Sequence, residues 1–243
     1  MEFDASIFQS TLRQGLSEWD LSHLEDRIPQ MQDFAELIIE TNKTLNLTRI
    51  VESEEMAIKN FLDSLSCLNL AWPEKMRVLD LGTGAGFPGI PLAIAQPGWS
   101  IVLLDSLKKR LKFLDDAIEK LSMTNVSTFH ARGEDAGQAP EHRETYDLVV
   151  SRAVASLPVL LELCIPLVRV GGHFIAYKST EAGVELEKSS KAMKELHVQK
   201  EQVFSLQLPL DMGERNLLVF KKLGPTPPVY PRRAGVPSKH PLE

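Results

Sequence analysis

The segment VLDLGTGAGFPGIPLAIA, residues 78–95, combines closely spaced glycines with a carboxylate at the end of a β-rich run. Gly84, Gly86 and Gly89 have the spacing of a dinucleotide-binding fingerprint, but Asp80 precedes them. A carboxylate there would repel a pyrophosphate at a helix N-terminus, whereas it suits a cofactor that carries an amino group and a sulfonium. S-Adenosyl-L-methionine carries both. Gly82, Gly84 and Gly86 would let the backbone pass close to its methionine and ribose parts.

Two further acidic segments follow at the ends of later β-rich runs. Asp105, 25 residues after Asp80, can accept both ribose hydroxyls, a role that it would also have with NAD. Gly133 and Glu134, in HARGEDAG, are placed to meet an adenine edge. Each acid alone is also explained as a helix N-cap, so the prediction depends on all three together. No Lys-Ser or Lys-Thr follows the glycines, which excludes a P-loop.

The run YDLVVSRAVASL, residues 146–157, should lie beside the transferred methyl group. It contains neither the Asn-Pro-Pro-aromatic motif of exocyclic-amine methylation nor a nucleophilic cysteine. Ser151 and Arg152 are the catalytic candidates, but a guanidinium is a poor general base, although it can fork onto a base O6 or a phosphate. This favours an acceptor that is already nucleophilic, such as guanine N7, for which alignment supplies the catalysis. A structural ion pair is the alternative role for Arg152.

Hydrophobic periodicity divides the chain into a helical front and an alternating body. Ser22 and Glu25 form a capping-box pattern before a helix, and a second helix is predicted over about 54–70. From Met76, five β-rich runs alternate with helices predicted near 87–95, 107–121, 155–168 and 181–196, as is typical of a parallel sheet. The predicted strands are RVLDL, SIVLLD, VSTFH, YDLVVS and GHFIAYK. The last two β-rich runs, VQKEQVFSLQL and RNLLVFKKL, have no helix between them and should form an antiparallel hairpin.

These elements predict an α/β fold, namely a Rossmann-like S-adenosylmethionine-dependent methyltransferase sheet that is mostly parallel with an antiparallel C-terminal hairpin. Residues 1–72 would form an N-terminal helical extension, 73–223 the methyltransferase domain, and 224–243 a proline-rich basic tail packed on or near it. No segment approaches the ~20 apolar residues of a membrane span, and the acidic N-terminus lacks an export signal. Two cysteines and scattered histidines indicate neither a disulfide framework nor a metal site, so we expect a cytoplasmic protein.

Charge is uneven along the chain. Residues 1–75 carry a local charge of −8, whereas residues 215–243 carry +5. Six prolines in residues 224–241 predict neither helix nor central strand there. They should lay the tail along the surface and present its cations beside the cleft, although a solubilising tail is the alternative. The predicted RNA contacts are a base stacked on Tyr230 and phosphates bound by Arg232, Arg233 and Lys239, with Lys221 and Lys222 nearby.

Five segments resemble, in the same order, those of the bacterial small-subunit ribosomal RNA guanine-N7 methyltransferases, also called the glucose-inhibited division protein B family. They are NKTLNLTRI (42–50), NFLDSL (60–65), DLGTGAGFPGIPLAI (80–94), SRAVASL (151–157) and YPRRAGVPSKHPL (230–242). The similarity spans nearly the whole chain. It implies transfer of a methyl group from S-adenosyl-L-methionine to N7 of one guanosine in 16S ribosomal RNA.

The resemblance also implies a set of cofactor contacts. They fall on Gly82, Phe87, Asp105, Ser106, Leu107, Gly133, Glu134 and Arg152. Asn60 stands where the family usually has a histidine, which argues against an essential acid–base group at that position. Gly133 replaces a common alanine, with little effect expected because the contact there is through the backbone.

Two other functions stay open from the residues alone. An NAD-dependent Rossmann oxidoreductase would need a separate substrate domain with a catalytic His or Lys, and the chain after the sheet offers only a hairpin and a tail. A non-catalytic nucleoside-binding assembly factor is the second. The expected partners are 16S ribosomal RNA or the small ribosomal subunit, and a monomer with no membrane and no metal is expected.

Overall fold

Seven strands form one sheet in the computed structural model, which describes residues 3–179 and 182–243. They are β1 (Met76–Leu81), β2 (Trp99–Asp105), β3 (Val126–His130), β4 (Tyr146–Arg152), β5 (Val168–Lys178), β6 (Val198–Gln207) and β7 (Glu214–Lys222). The order is β3-β2-β1-β4-β5-β7-β6; β7 is antiparallel to both neighbours and the other pairs are parallel. The predicted α/β fold and its C-terminal hairpin are confirmed.

Helices cover both faces of this sheet. Within the described residues they are α1 (Ala5–Glu18), α2 (Ile28–Leu45), α3 (Ser53–Met56), α4 (Asp63–Leu65), α5 (Gly89–Ala95), α6 (Lys108–Lys120), α7 (Gly133–Ala136), α8 (Leu157–Cys164), α9 (Ala182–Lys188), α10 (Ser190–Glu195) and α11 (Val236–Lys239). The central strands β1 and β4 are therefore buried on both faces, which explains their nearly continuous apolar sequences.

An aromatic cluster joins the N-terminal helices to one face of the sheet. Phe8 of α1 lies 5.0 Å from Phe61, and Phe61 lies 5.3 Å from Phe87, which follows the glycines, as measured between ring centroids. Phe34 of α2 is 5.7 Å from Phe87. Residues before β1 thus share a core with the sheet and support the loop from behind. The domain boundary at residue 72 stays a prediction.

The helical front differs in detail from its prediction. The capping box is wrong, because Ser22 starts a 3₁₀ turn without a side-chain cap and α2 begins only at Ile28. Pro29 explains this start, since proline lacks an N–H and fits the first turn of a helix. The helix predicted over 54–70 is one irregular run, in which a π-helical segment, Ala57–Leu62, joins α3 to α4 and a 3₁₀ turn follows.

Two C-terminal predictions are also modified. The helix predicted over 181–196 begins at a position outside the described residues, and from residue 182 it is divided into α9 and α10. The tail, predicted to lack helix, contains the one-turn α11, whose first turn accommodates Pro237. In the part of the chain that the structure describes, no helix has the length and apolar character to cross a bilayer, and no His, Cys, Asp and Glu side chains cluster as a metal site would require.

Candidate active site

The glycine loop links β1 to α5 at the carboxyl edge of the sheet. Gly82, Gly84 and Gly86 have φ angles of +76°, +60° and +101°, which residues with side chains rarely adopt. The N–H of Gly82 donates to the carbonyl of Leu104 at 2.8 Å, so the loop is tied to β2. A Cβ on Gly86 would lie 2.9 Å from Phe34, whereas one on Gly84 would meet nothing closer than 3.9 Å. Packing therefore explains Gly86, and open space lies beside Gly84.

Asp105 at the end of β2 holds two loops together. Its carboxylate is buried; Oδ2 accepts from the N–H of Gly84 at 3.0 Å, and Oδ1 accepts from the N–H of Leu107 at 2.8 Å. Arg110 approaches Oδ2 at 3.4 Å. Asp105 is not the N-cap of α6, which is Leu107 without a side-chain cap, and a carboxylate has about four acceptor positions, so these loop contacts leave room for a nucleoside.

Asp80 lies within the protein, beneath the glycine loop. Its Oδ2 accepts from the N–H of Gly89 at 2.9 Å, at the start of α5. Burial raises the pKa of Asp80 to about 6, against the lowering effects of the Gly89 N–H and the positive charge of Arg152. No atom of Asp80 is exposed, so the geometry gives this carboxylate a role in holding the loop and α5.

A first cavity of about 360 Å³ opens at the carboxyl ends of β1 to β4, where the strand order reverses between β1 and β4. This is the usual ligand position in open α/β sheets, and the volume lies in the range of small-molecule sites. Its wall consists of Leu81, Gly82, Leu104, Asp105, Ser106, Arg110, Ala131, Arg132, Gly133, Glu134, Ala153, Val154, Ala155, Val159, Leu163 and Ser238.

Five of the predicted cofactor residues therefore lie on this wall, and the others lie around it. The five are Gly82, Asp105, Ser106, Gly133 and Glu134. Leu107 is exposed and takes part through its N–H to Asp105. Phe87 is buried under Arg152, whose guanidinium carbon is 5.4 Å from its ring centroid. Glu134 accepts from the N–H of Gly235 at 2.8 Å, which brings the C-terminal tail to the cavity.

The two catalytic candidates at the end of β4 have different environments. Ser151 is fully buried, and its Oγ donates to the carbonyl of Leu81 at 2.9 Å, so this hydroxyl joins β4 to β1. The Nη1 of Arg152 donates to the carbonyl of Lys59 at 2.9 Å and to Oδ2 of Asp63 at 2.8 Å. The ion-pair alternative for Arg152 is thus present in the structure.

A second cavity of about 440 Å³ adjoins the first, and Ala153 borders both. It is lined by Ile50, Lys59, Asn60, Asp63, Arg152, Ala153, Tyr177, Lys178, Ser179, Glu185 and Arg215. Asp63 is almost completely buried and also accepts from Nε of Arg215 at 2.6 Å, so one carboxylate holds two guanidiniums. The π-helical segment places both Asn60 and the Lys59 carbonyl here.

Sequence reasoning missed Asp63, Lys178 and Arg215 as site residues. Asp63 lies in the NFLDSL segment of the family resemblance, which was the available signal. Arg215 begins RNLLVFKKL and reads as an ordinary hairpin residue. The pairing of β5 with β7 brings Lys178 opposite Asn216, next to Arg215.

The predicted RNA contacts in the tail are not equivalent. Lys222 is completely buried, paired with Glu144 at 2.6 Å, and burial lowers its pKa to about 8, so its predicted place among the surface cations is wrong. Arg232 binds the buried Glu162 through Nε at 2.8 Å. Its phosphate contact stays a prediction beside this structural role. Of the other predicted RNA contacts, Tyr230 is half-buried, and Arg233 and Lys239 are exposed.

Comparisons with known proteins agree with this geometry. The chain is 46% identical over 233 residues to the Ribosomal RNA small subunit methyltransferase G of Desulforamulus reducens, covering 96% of this chain and 97% of that one. It is 42% identical over 229 residues to the protein of that name from Listeria monocytogenes, covering 94% and 96%.

Solved structures share the fold at low identity. TYW2 of P. horikoshii in complex with MeSAdo aligns with a TM-score of 0.51 and 15% identity over 66% of this chain and 61% of that one. TrmN from Thermus thermophilus aligns with a TM-score of 0.50 and 20% identity over 67% and 48%. A family model described as rRNA small subunit methyltransferase G matches residues 27–218. The chain belongs to the rRNA small subunit methyltransferase G family.

Proposed function

We propose that this enzyme transfers the methyl group of S-adenosyl-L-methionine to N7 of a guanosine in 16S ribosomal RNA. The observation that carries the proposal is a pair of cavities that meet at Ala153. The lining of the first suits a nucleoside, and the second is lined by arginine and lysine side chains. The relatives named ribosomal RNA small subunit methyltransferase G support the same activity. Nothing in these comparisons supports an oxidoreductase or a non-catalytic module.

S-Adenosyl-L-methionine is the cofactor, and the first cavity is its proposed site. When bound, it supplies an electrophilic methyl group on a sulfonium. Asp105 retains free acceptor positions for the ribose hydroxyls, and Ser106 and Leu107 continue that wall. Gly133 and Glu134 form the proposed adenine wall. The proposed support around them consists of Asp80, Gly82, Gly84 and Gly86 in the loop and of Phe87 with Arg152 at the boundary between the cavities.

The second cavity is the proposed acceptor pocket. Guanine N7 has a lone pair and no proton to lose, so the residues need only to orient the base. Arg152, fixed by Asp63, is placed to fork onto O6 or a phosphate. Burial raises the pKa of Tyr177 well above its usual value, and its hydroxyl donates to the carbonyl of Ser64, so Tyr177 stays neutral. The neutral Asn60 fits a reaction without a general base.

RNA phosphates are proposed to meet Arg232, Arg233 and Lys239 of the tail, and Tyr230 is proposed to stack on a base. Arg232 also anchors the tail through Glu162. The substrate is 16S ribosomal RNA alone or within the small ribosomal subunit, and the protein acts as a cytoplasmic monomer. The exposed large apolar side chains of the described residues support the monomer, because they are scattered over separate elements. Light scattering would report the mass in solution.

Methyl transfer to RNA tests the function directly. Wild-type protein with labelled S-adenosylmethionine should modify deproteinised 16S RNA or small subunits, and mass spectrometry should find one 7-methylguanosine. Arg152→Ala should lower the transfer rate by about 100-fold or more. Arg152→Lys keeps the positive charge but loses the bidentate guanidinium, so it tests whether bidentate binding is needed. Methylation at another atom would contradict the guanine-N7 assignment. Full transfer by Arg152→Ala would remove Arg152 from the site.

A further inference from the structure

The C-terminal tail is fastened along the protein by side chains from outside it. The Arg143 guanidinium donates to the carbonyls of Thr226 at 2.9 Å and Tyr230 at 2.8 Å. Glu144 accepts from the N–H of Thr226 at 2.7 Å, and Gln138 donates to the carbonyl of Pro231 at 2.9 Å. These bonds satisfy backbone groups of a proline-rich segment that forms no strand, so the course of residues 226–231 is fixed.

A buried ion pair fastens the next residue. Glu162 is the one charged residue of α8 and has no exposed surface. Its carboxylate accepts from Arg232 three times, from the backbone N–H at 2.9 Å, Nε at 2.8 Å and Nη2 at 2.5 Å. A carboxylate inside an apolar helix is costly unless it is paired, so Glu162 is explained only together with the tail.

Beyond this pair the tail passes the first cavity. The N–H of Gly235 donates to Oε1 of Glu134 at 2.8 Å, and Ser238 forms part of the cavity wall together with Glu134, Val159 and Leu163. The chain then returns to the core at Leu242, whose carbonyl accepts from the N–H of Ala192 at 3.2 Å. Both ends of this crossing are therefore anchored.

We infer that residues 235–238 form a wall of the cofactor site and that Ser238 is a cofactor-binding residue, positioned by the Arg232–Glu162 pair. This inference rests on the proposed placement of S-adenosylmethionine in the first cavity. The family model ends at residue 218, so these residues lie outside the matched segment. Ser238 adjoins the wall of Gly133 and Glu134, so its hydroxyl serves the adenine end of the cofactor.

Isothermal titration of the full-length protein with S-adenosylmethionine and with 5′-methylthioadenosine, which lacks the amino-acid end, tests this wall. Ser238→Ala should weaken both ligands by roughly 5- to 10-fold, the value of one hydrogen bond. Ser238→Trp should weaken both more strongly by filling the cavity. Ser190→Ala and Ser190→Trp, on the exposed start of α10, are the matched controls and should bind as wild type.

The positioning pair is tested by Arg232→Lys and by the double variant Glu162→Leu, Arg232→Leu. The double variant removes both charges at once, so no buried carboxylate is left unpaired. The double variant should weaken the binding of both ligands as much as Ser238→Ala does. Arg232→Lys should bind both ligands more tightly than the double variant but less tightly than wild type. Melting temperatures establish that each variant is folded at the titration temperature.

Asp105→Ala separates this inference from the proposed cofactor site. Wild-type affinity in Ser238→Trp, with binding lost in Asp105→Ala, would overturn the tail wall and leave the cofactor site in place. Wild-type affinity in both would overturn the two together. Tail variants that lower RNA binding while both ligands bind normally would also overturn the wall.

Discussion

The two cavities at the carboxyl edge of the sheet are constructed differently. The first is made by short loops after β1, β2, β3 and β4 together with Ser238 of the tail, and much of what it offers is backbone and two carboxylates, Asp105 and Glu134. The second is made by charged side chains from distant segments, with Asp63 holding both Arg152 and Arg215. Under the proposed assignment, loop conformation determines cofactor binding, whereas long-range electrostatics determines how the acceptor is held.

A branched side chain at Gly84 should damage the first cavity alone. Gly84→Val forces a β-branched residue to φ +60° beside open space at the cavity edge, and we expect cofactor affinity to fall by at least ~100-fold in a folded protein. Gly213→Val is the control, because its φ of +111° imposes similar strain in the β6–β7 turn. Titration calorimetry and circular dichroism measure both; equal losses in the two variants would refute the local explanation.

Removing the shared carboxylate should damage the second cavity alone. Asp63→Asn leaves two guanidiniums without their counter-charge, so we expect methyl transfer to fall by about 100-fold and the free energy of unfolding by about 3–5 kcal/mol. Cofactor affinity should stay within about twofold of wild type if the cavities are independent. Denaturant titration, transfer kinetics and calorimetry supply the three values. A matching loss of cofactor affinity would show that the two cavities are coupled.

The buried Asp80 beneath the glycine loop should make the stability of the protein depend on pH. Because burial raises its pKa to about 6 in the folded state, its ionised form opposes folding, and this cost is absent below about pH 4 and complete above about pH 6. The stability of Asp80→Asn relative to wild type should therefore rise between pH 4 and pH 7, by roughly 1–3 kcal/mol. Thermal unfolding across this range measures it.

Asp147 supplies the control of opposite sign. Burial raises its pKa, but the N–H of Arg77 and the Arg169 side chain lower it more, so the ionised form favours folding. Asp147→Asn should lose stability relative to wild type as the pH rises toward about 4, and the difference should then stay constant from pH 4 to pH 7. A flat difference for Asp80→Asn over the same range would show that the pKa of Asp80 is not raised in the folded protein.

The smallest expected effect concerns RNA phosphates. Arg233 and Lys239 are exposed on the tail, and the double variant Arg233→Ala, Lys239→Ala should reduce the slope of log K against log salt by ~0.7 for each lost contact. Cofactor affinity should not change, because neither residue lines the first cavity. RNA binding across a salt series tests this; an unchanged slope would place the RNA contacts elsewhere on the protein.

Local sequence rules predicted much of the sheet but only part of the helical front. Parallel strands between crossover helices produce an unambiguous alternation, and each of the seven β-rich runs is a strand. The first helix, α1, was not predicted, although Phe8, Leu12 and Leu16 recur at helical spacing and Asp4 caps its N-terminus. A π-helical segment divides the 53–69 run, and its Lys59 carbonyl accepts from Arg152, a long-range contact that hydrophobic periodicity does not report.

The amino-acid sequence alone specifies the glycine loop after β1, because glycine spacing and strand-end acids act through backbone geometry that is local to each βα turn. Tertiary structure alone decided which charges are available. It buried Asp80 and Lys222, turned Ser151 toward the carbonyl of Leu81, and brought Asp63 to Arg215 across 152 residues of chain. Burial and ion pairing depend on what the whole fold packs around a side chain. A basic or acidic residue in the sequence therefore does not reveal whether its charge faces RNA or another residue.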